Sequence, residues 1–523
     1  MTGDIHQIKQ VKVVGGGDAG LLTALALEKA LDEADIVVID DFEEAVPEVG
    51  KSTLTALVRV LHESLDIDQQ RLTQNVKLAW KSTVHFEDWC GRSFHSPLGA
   101  SIPVVNSFDE RSTSEPRAIR SENLTHGHMA EFHEFYYRYQ KGEFSTLYGE
   151  LAERPGLSPI IISPQNPMAV EMGLGEVAYH FDSNSLNRFL RTVCRERGVS
   201  LVDDRITDIE VNDSRIERIA SKSTNYTADL YVDASGFKRL LMCELENDFV
   251  RFDLPVDSAV VTTTDLSLSD VVSATVVTSG DAGWFWQIDT VDVRDLGYVY
   301  SSDHISDEAA KRELIETRGE DIYLDEIRQY RFESGVMERA WVENCVVVGN
   351  ALGFVEPLQS TALTTSALLA ERFARLLGQH GGVNHRGVRK MYNSTTRETW
   401  DDIYKFISLY YMFNDGTTEF WEDARSIDPG TIPQYESYQQ SGFAAPGDRL
   451  SLTQPDTGLN GWYLYHLVLN QLGVESEFFE ELEFTVDPAV AEAVDSYTEG
   501  LAGRADEFLS YQQFFGSFHP GFD

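Results

Sequence analysis

Apolar positions come in short, regular bursts over the first forty residues. Gln10 to Val14 is an apolar run that ends in glycines, and Leu21 to Leu31 repeats apolar residues at helical spacing. Asp35-Ile36-Val37-Val38-Ile39-Asp40 is a second apolar run that ends on an acid. Strand, glycine turn, helix, strand and acid make one βαβ unit within roughly thirty residues. From 98 to 175 the periodicity is poor and aromatics accumulate (Phe132, Phe135, Tyr136, Tyr137, Tyr139), which reads as an insertion covering something. Residues 180 to 200 predict a helix after His180-Phe181-Asp182, with Leu186, Phe189, Leu190 and Val193 on its apolar face. Strands follow through Asp229 to Asp233. The stretch from Ser258 to Ser302 alternates apolar and polar residues, which predicts a half-exposed antiparallel sheet. From about 360 onward the spacing is helical and rich in aromatics, with no internal repeat and no low-complexity linker.

Length and composition change little in that picture. A chain of 523 residues with 42% hydrophobic content holds a large core and predicts at least two packed lobes. The four cysteines (Cys90, Cys194, Cys243, Cys345) form no CxxC pair, which argues against a disulfide framework or a thiolate metal site. No apolar run reaches membrane-spanning length, and a strand begins within ten residues of the start, so the expectation is a cytoplasmic chain with no membrane partner. Charge is the unusual feature. Lys and Arg total 43 against 85 Asp and Glu, a net of −42, with only twelve lysines. Phosphate backbones would be repelled over most of such a surface, so no nucleic-acid partner is expected. The acid is spread along the whole chain, a distribution that suits a halophilic cytoplasm where short screening lengths relieve self-repulsion.

The first turn carries the first chemistry. Gly15-x-Gly17-x-x-Gly20 stands between a strand and a helix, with Asp18 and Ala19 inside it. The first glycine permits the tight turn, the second lets backbone approach a pyrophosphate, and the third lets helix and strand pack closely. Asp40, twenty residues past Gly20, stands where a carboxylate can take ribose hydroxyls. Gly50-Lys51-Ser52 suggests a P-loop, but Ala45 occupies the position where that loop needs its first glycine. Two later strand–turn blocks, Asp233-Ala234-Ser235-Gly236-Phe237 and Val348-Gly349-Asn350-Ala351, select FAD over NAD, because such segments close over the flavin end. The expected fold is α/β (α+β): a Rossmann-like FAD-binding module of the hydroxylase type, an antiparallel sheet subdomain and a C-terminal helical substrate lobe. Residues 1–395 fall to the module with its interwoven sheet and the insertion at about 95–175, and 396–523 to the helical lobe.

The chain resembles the flavin-dependent halogenases of the tryptophan-halogenase family, from residue 11 to about 425 and more weakly to about 475. Gly15 to Gly20, Ala178-Tyr179-His180-Phe181-Asp182, Gly297-Tyr298-Val299-Tyr300 and Pro357-Leu358-Gln359-Ser360-Thr361 carry part of it. The discriminating features are Trp284-Phe285-Trp286-Gln287-Ile288 and Lys81, five residues before Phe86 and eight before Trp89. The resemblance implies FADH2 from a separate flavin reductase, molecular oxygen, and chloride or bromide as co-substrate. Halide is oxidised to hypohalous acid, which a lysine relays to a small aromatic substrate, tryptophan or another indole among the candidates. On that likeness Lys81 is catalytic, with Lys77 as rival, and Trp284 and Trp286 wall flavin from substrate, since i and i+2 on a strand share a face. Thr361 and Ala362 match the pair whose backbone amides bind halide. Gly15, Gly17, Asp18, Ala19, Gly20, Asp40, Lys51, Ser52, Gly236, Gly349 and Asn350 are the expected cofactor contacts. Members often form homodimers, and the same is expected here.

Four departures stand out. Gln359 replaces the glutamate thought to work with the lysine, and an amide cannot accept a ring proton as a base. Asp289 replaces a proline, Ala362 a glycine, and Lys51 a glutamate near the flavin. His180 and Asp182 read as the structural start of a helix. Trp421, Trp462, Tyr463 and Tyr465 read equally as substrate cover or helical core. Two alternatives stay open on sequence: a flavin monooxygenase that hydroxylates an aromatic directly, and a non-catalytic flavin-binding relative.

Overall fold

The computed structural model describes residues 6–31, 33–42, 50–98, 101–104, 117–120, 134–135, 138, 146–174, 176–319, 322–442, 444, 462–476, 488–501 and 504–518. Phe132, Tyr136, Tyr137, Tyr139, Ala45 and Pro47 lie outside them, as do the side chains of Trp462 and Tyr463. The chain divides into two compact units, each drawn from three separated stretches. The first takes Met1–Leu78, Phe181–Asp257 and Tyr330–Tyr404; the second takes Ala79–His180, Ser258–Gln329 and Lys405–Asp523.

The first unit is built on a six-stranded sheet in the order Ser200–Asp203, Asp35–Asp40, Gln10–Val14, Leu230–Asp233, Cys345–Val347, Trp341–Val342. The first five run parallel and the last antiparallel. The apolar runs are continuous because both faces of a parallel sheet are covered. Val11, Val13, Val38 and Val232 are accordingly fully buried. The helix Asp18–Ala30 starts at the glycine turn itself, earlier than its apolar repeat begins, and packs against the long helix Thr361–Gln379. A third helix, Ser183–Glu196, is capped by Asp182, whose carboxylate accepts the Ser185 amide at 2.7 Å. The structural reading of Asp182 is thus what the geometry gives.

The second unit is organised by a sheet whose strands run Ser258–Asp265, Val293–Tyr300, Gly283–Asp289, Ala274–Gly280, Thr83–Glu87, Phe94–Pro97. Arg328–Arg331 adds at the edge beside Ser258–Asp265. All these internal pairs are antiparallel except Thr83–Glu87 with Ala274–Gly280, which is parallel. The expectation of a half-exposed sheet is corrected: Trp284, Phe285, Trp286, Tyr298, Val299 and Tyr300 are all buried. One face is covered by the helix Asp307–Arg318, whose Ala310 and Leu314 join Phe285, Tyr298 and Tyr300 in a core cluster. On the other, Trp284 Nε1 donates to Tyr411 Oη at 3.0 Å. Alternation in sequence reports two faces; it does not report what distant helices lay on them.

Asp289 closes the tryptophan strand. Its carboxylate is wholly buried and accepts two bonds from Arg294 at 2.8 Å and one from the Val272 amide at 2.9 Å. An ion pair thus holds the turn at the position noted above as a departure from proline. Removing the carboxylate strands the guanidinium and an amide, a loss of about 3 kcal/mol. Asp289→Ala should lower the unfolding free energy in urea by about that amount, and a change under about 0.5 kcal/mol would show the pair to be dispensable.

Candidate functional site

Three glycine turns from distant parts of the chain meet at the carboxyl ends of the first unit's parallel strands. Gly15 takes φ +114°, and a Cβ there would lie 2.3 Å from the Ala234 carbonyl oxygen. Gly20 leaves no room for a Cβ against the Gly15 carbonyl at 2.0 Å. Gly349, at φ +61°, would strike Ala19 at 2.6 Å. The turns at residues 15–20, 234–236 and 349–351 are therefore mutually fitted, and Gly15, Gly20 and Gly349 admit no side chain of their own at the contacts. A Cβ on Gly17 or on Gly236 meets nothing within 4 Å, and of the two only Gly17 has a φ, −68°, that other residues adopt freely; the space at Gly17 is the one that matters for the helix. That open space faces the uncapped amino end of the helix Asp18–Ala30, where amides and helix dipole favour an anion. The residues fit a dinucleotide.

Side chains around this turn are tied down. Asp40 accepts the Gly16 amide at 2.7 Å. Asp18, nearly buried, pairs with Lys51 and accepts from Asn187 Nδ2 at 2.9 Å. The reversed charge at Lys51 is thus neutralised by Asp18 within the same unit. Asp233 holds the second turn: its buried carboxylate accepts the Ser235 hydroxyl at 2.6 Å and the Leu241 and Met242 amides at 2.8 Å each. That clamp sets the path of the segment containing Gly236. Ser52 ends the short strand Lys51–Ser52 and Asn350 sits in the helical turn Gly349–Ala351.

The block Pro357 to Thr361 contains two adjacent strained residues. Gln359 (φ 63°, ψ 8°) and Ser360 (φ 59°, ψ 36°) are both left-handed without being glycine, which costs about 1–2 kcal/mol each. They turn the chain into the helix Thr361–Gln379, so the amides of Thr361 and Ala362 are first-turn donors at its amino end. Gln359 is buried, at 7% exposure.

In the second unit, Lys81 ends the strand Leu78–Lys81 at 0% exposure, and burial pulls its ammonium down to about 7. Lys77 is exposed. The markers used to locate Lys81 are core residues: Phe86 stacks between Phe94 and Tyr410, and Trp89 Nε1 donates to the Tyr410 carbonyl at 3.1 Å. Trp284 and Trp286 lie side by side, with ring centroids 6.0 Å apart. Gly297, directly opposite Trp286, carries that ring: a Cβ on it would lie 2.1 Å from the indole. Trp421 and Tyr465 are core, the former donating from Nε1 to the Gly280 carbonyl at 2.8 Å. Among the described residues no three His, Cys, Asp or Glu cluster as a metal would need, and no helix is long and apolar enough to cross a membrane.

The tryptophan halogenase family model matches residues 10–450. The chain belongs to the tryptophan halogenase family. This halogenase is 28% identical over 446 residues to the tryptophan 6-halogenase SttH of Streptomyces toxytricini, covering 80% of this chain and 81% of that one. The crystal structure of SttH matches with a TM-score of 0.79 at 25% identity, over 98% of this chain and 100% of the other. BrvH, a flavin-dependent halogenase from Brevundimonas sp. BAL3, shares the fold with a TM-score of 0.78 at 23% identity, over 98% and 100%. The halogenase is an enzyme, a flavin-dependent halogenating oxidoreductase, which removes the non-catalytic alternative.

One residue of this halogenase, Glu356, escaped the sequence reading, and another, His180, reads in sequence only as the start of a helix although it lies on the strand Ala178–Phe181. Glu356 is buried at 1% exposure, and its carboxylate accepts the Leu358 amide at 2.8 Å, bracing the strained turn. Nothing in the pattern separates it from the many surface acids. His180, on the strand beside Ala79–Lys81, donates from Nδ1 to the Asp289 carbonyl at 3.0 Å and accepts the Thr275 hydroxyl at Nε2 at 2.9 Å. Burial first and the charge of Lys81 second pull it down to about 3, so it is neutral.

The lowered Lys81 value has a measurable consequence. The unfolded chain keeps this proton up to about 10.5, while the folded one releases it near 7. Stability therefore rises with pH between those values, and the penalty, on the order of a few kcal/mol, is fully present below 7. Lys81→Met should raise the urea midpoint at pH 6, with the gain fading toward pH 10. A gain independent of pH would show that the lysine is not held by burial.

Proposed function

We propose that this enzyme uses FADH2, oxygen and chloride or bromide to halogenate an electron-rich aromatic, with an indole or a phenol as the substrate class. The observation that carries the assignment of roles is a lysine sealed in a strand at 0% exposure, at the spacing from Phe86 and Trp89 that the family's lysine has. Gly15, Gly17, Asp18, Ala19, Gly20, Asp40, Lys51, Ser52, Gly236, Gly349 and Asn350 would hold the FAD, with the open space at Gly17 taking its pyrophosphate. Bound in reduced form, the flavin supplies the two-electron chemistry that, with oxygen, oxidises halide. The amides of Thr361 and Ala362 hold the halide at a helix amino end, where partial positive charge favours it. Trp284 and Trp286 exclude water and keep the oxidising and acceptor sites apart, so that direct hydroxylation does not compete.

Lys81 holds the electrophilic halogen. With its proton released near 7, the amine is a donor or nucleophile at neutral pH instead of a fixed cation. Gln359 offers hydrogen bonds but no base, so the acceptor must be activated enough to lose its ring proton without a carboxylate at that position. That favours electron-rich rings. The helical segment 396–523 is assigned to covering the substrate, a separate reductase to supplying the reduced flavin, and a homodimer to the assembled form. SttH is named a tryptophan 6-halogenase, which makes tryptophan and simple indoles the first compounds to try.

The test is mass spectrometry of indole and phenol panels turned over with a flavin reductase and bromide at high salt. A mono-brominated product is expected, and Lys81→Met should lower its formation by at least about a hundredfold, the scale of one essential catalytic group. Hydroxylated products that survive Lys81→Met would establish direct oxygen transfer instead. Gly17 has φ −68°, which any residue adopts, so Gly17→Val should fold normally yet lose flavin binding. Undiminished flavin fluorescence quenching in that variant would move the pyrophosphate elsewhere.

A further inference from the structure

Among the described residues, the strand Leu78–Lys81 lies at the edge of its sheet, beside Ala178–Phe181. Its other edge is met by a side chain from the far end of the chain. Tyr511 is wholly buried, and its hydroxyl accepts the Trp80 amide at 3.0 Å. The Ser273 hydroxyl lies 3.1 Å from that of Tyr511 and gives its own proton to the Leu157 carbonyl at 2.9 Å. The Tyr511 hydroxyl therefore donates to Ser273, and the bonds run in one direction from Trp80 through Tyr511 and Ser273 to Leu157. On the other side of Lys81, the Ser82 amide donates to the Ser273 carbonyl at 2.8 Å. The residues before and after Lys81 are thus both anchored to the Tyr511–Ser273 pair.

Local sequence fixes Tyr511. The strand Phe508–Ser510 pairs with Leu157–Ser163, and the Tyr511 amide donates to the Gly156 carbonyl at 2.8 Å. Ser510 and Gln513 then cap each other: the Gln513 amide donates to Ser510 Oγ at 3.1 Å, and the Ser510 amide to Gln513 Oε1 at 2.8 Å. That reciprocal pair starts the helix Tyr511–Phe518. The same helix sets Phe514 edge-on against the Trp80 ring, with centroids 5.0 Å apart. Successive residues of a strand face opposite ways, so Trp80 faces this helix and Lys81 faces away from it. The helix braces the strand from behind the lysine.

We propose that Tyr511 is a positioning residue for Lys81, keeping the amine's strand closed to water through the Trp80 amide, an inference that rests on the reading of Lys81 as the halogen carrier. Without the hydroxyl, the buried Trp80 amide has no acceptor at that edge, and the cheapest relief is a water molecule beside the strand. Water there would rehydrate the amine and return its proton affinity toward that of an ordinary lysine. Neighbouring charges do not supply this effect. His180, on the paired strand, is neutral. Asp289 acts on Tyr511 but is itself paired with Arg294. Burial pushes the Tyr511 phenol up, so it stays protonated.

With only twelve lysines, lysine-selective 15N NMR of the full chain can follow each side-chain nitrogen against pH, and Lys81→Met identifies the Lys81 signal by its loss. The wild-type amine should titrate at about 7. Tyr511→Phe keeps the ring and removes the hydroxyl, and should move that midpoint up by about one pH unit. That shift leaves roughly fivefold less free amine at pH 7 and a nearly unchanged amount at pH 9. Ser273→Ala, which removes the acceptor of the Tyr511 proton, should move the midpoint the same way and answers the question if Tyr511→Phe misfolds. Ser158→Ala removes the bond from Ser158 to the Leu509 carbonyl, loosening the same segment without touching the tyrosine, and should leave the midpoint in place. An unmoved midpoint in folded Tyr511→Phe and Ser273→Ala, or an equal shift in Ser158→Ala, would overturn the assignment. In bromination of indole with a flavin reductase, Tyr511→Phe should lower kcat about fivefold at pH 7, with KM within about twofold, and recover at pH 9. Bromination that survives Lys81→Met would overturn the reading of Lys81, while the NMR titration, which needs no substrate, still decides the part played by Tyr511.

Discussion

A methyl group cannot be placed on residue 15. The Ala234 carbonyl oxygen stands 2.3 Å from where that carbon would sit, and the remainder of the first unit's architecture is compatible only with that closeness. Ala234 follows the buried strand Leu230–Asp233, which pairs with Gln10–Val14 on one side and Cys345–Val347 on the other. Because the strands are parallel and in register, their ends align, and their turns are forced into one another. Glycine at 15, 20 and 349 relieves three collisions at once, and Asp233 uses its carboxylate to keep the middle turn from springing open. The steric fit comes first, and the polar cradle is a by-product of bringing three turns to one place.

This explains which parts could be read from sequence. Asp35–Asp40 and Gln10–Val14 were legible to the residue, because parallel strands buried on both faces leave continuous apolar runs. The glycines were legible because their requirement is local. Gln359 and Ser360 were legible only as identities: two left-handed residues without glycine leave no mark in a pattern, since the strain is held by surroundings distant in sequence. The sheet from 258 to 302 misled because its covering residues lie elsewhere, on Asp307–Arg318 and at Tyr411. Helical periodicity says which face is apolar, but not which distant turn that face will meet.

The departures at Lys51 and Asp289 show how a substitution that looks disruptive in one dimension is absorbed in three. Lys51 in place of an acid reverses a charge, yet Asp18 lies beside it and Asn187 holds Asp18 in turn. Asp289 in place of a proline puts a carboxylate inside the core, yet Arg294 meets it with two bonds and its own carbonyl orients His180. In each case the new charge arrives with its partner. A buried charge without one would cost several kcal/mol. Gln359 follows a different logic, since an amide carries no charge to neutralise.

Lysine is where the economy of this chain becomes informative. Twelve lysines serve a protein of 523 residues with 85 acids. Lys12, also buried, is drawn 3.6 Å from Asp35, and Lys51 is paired with Asp18. Those two have evident structural work. Lys81 is different in kind: it is wholly buried and burial alone lowers its proton affinity to about 7, which opposes folding at every pH below that value. An apolar residue of the same length would fill the strand without that cost. Retention of an amine there is an argument from energetics, independent of any alignment, that the amine itself is needed. The neighbouring strand carries His180, which burial first and the charge of Lys81 second hold neutral, so it places no competing charge beside the amine.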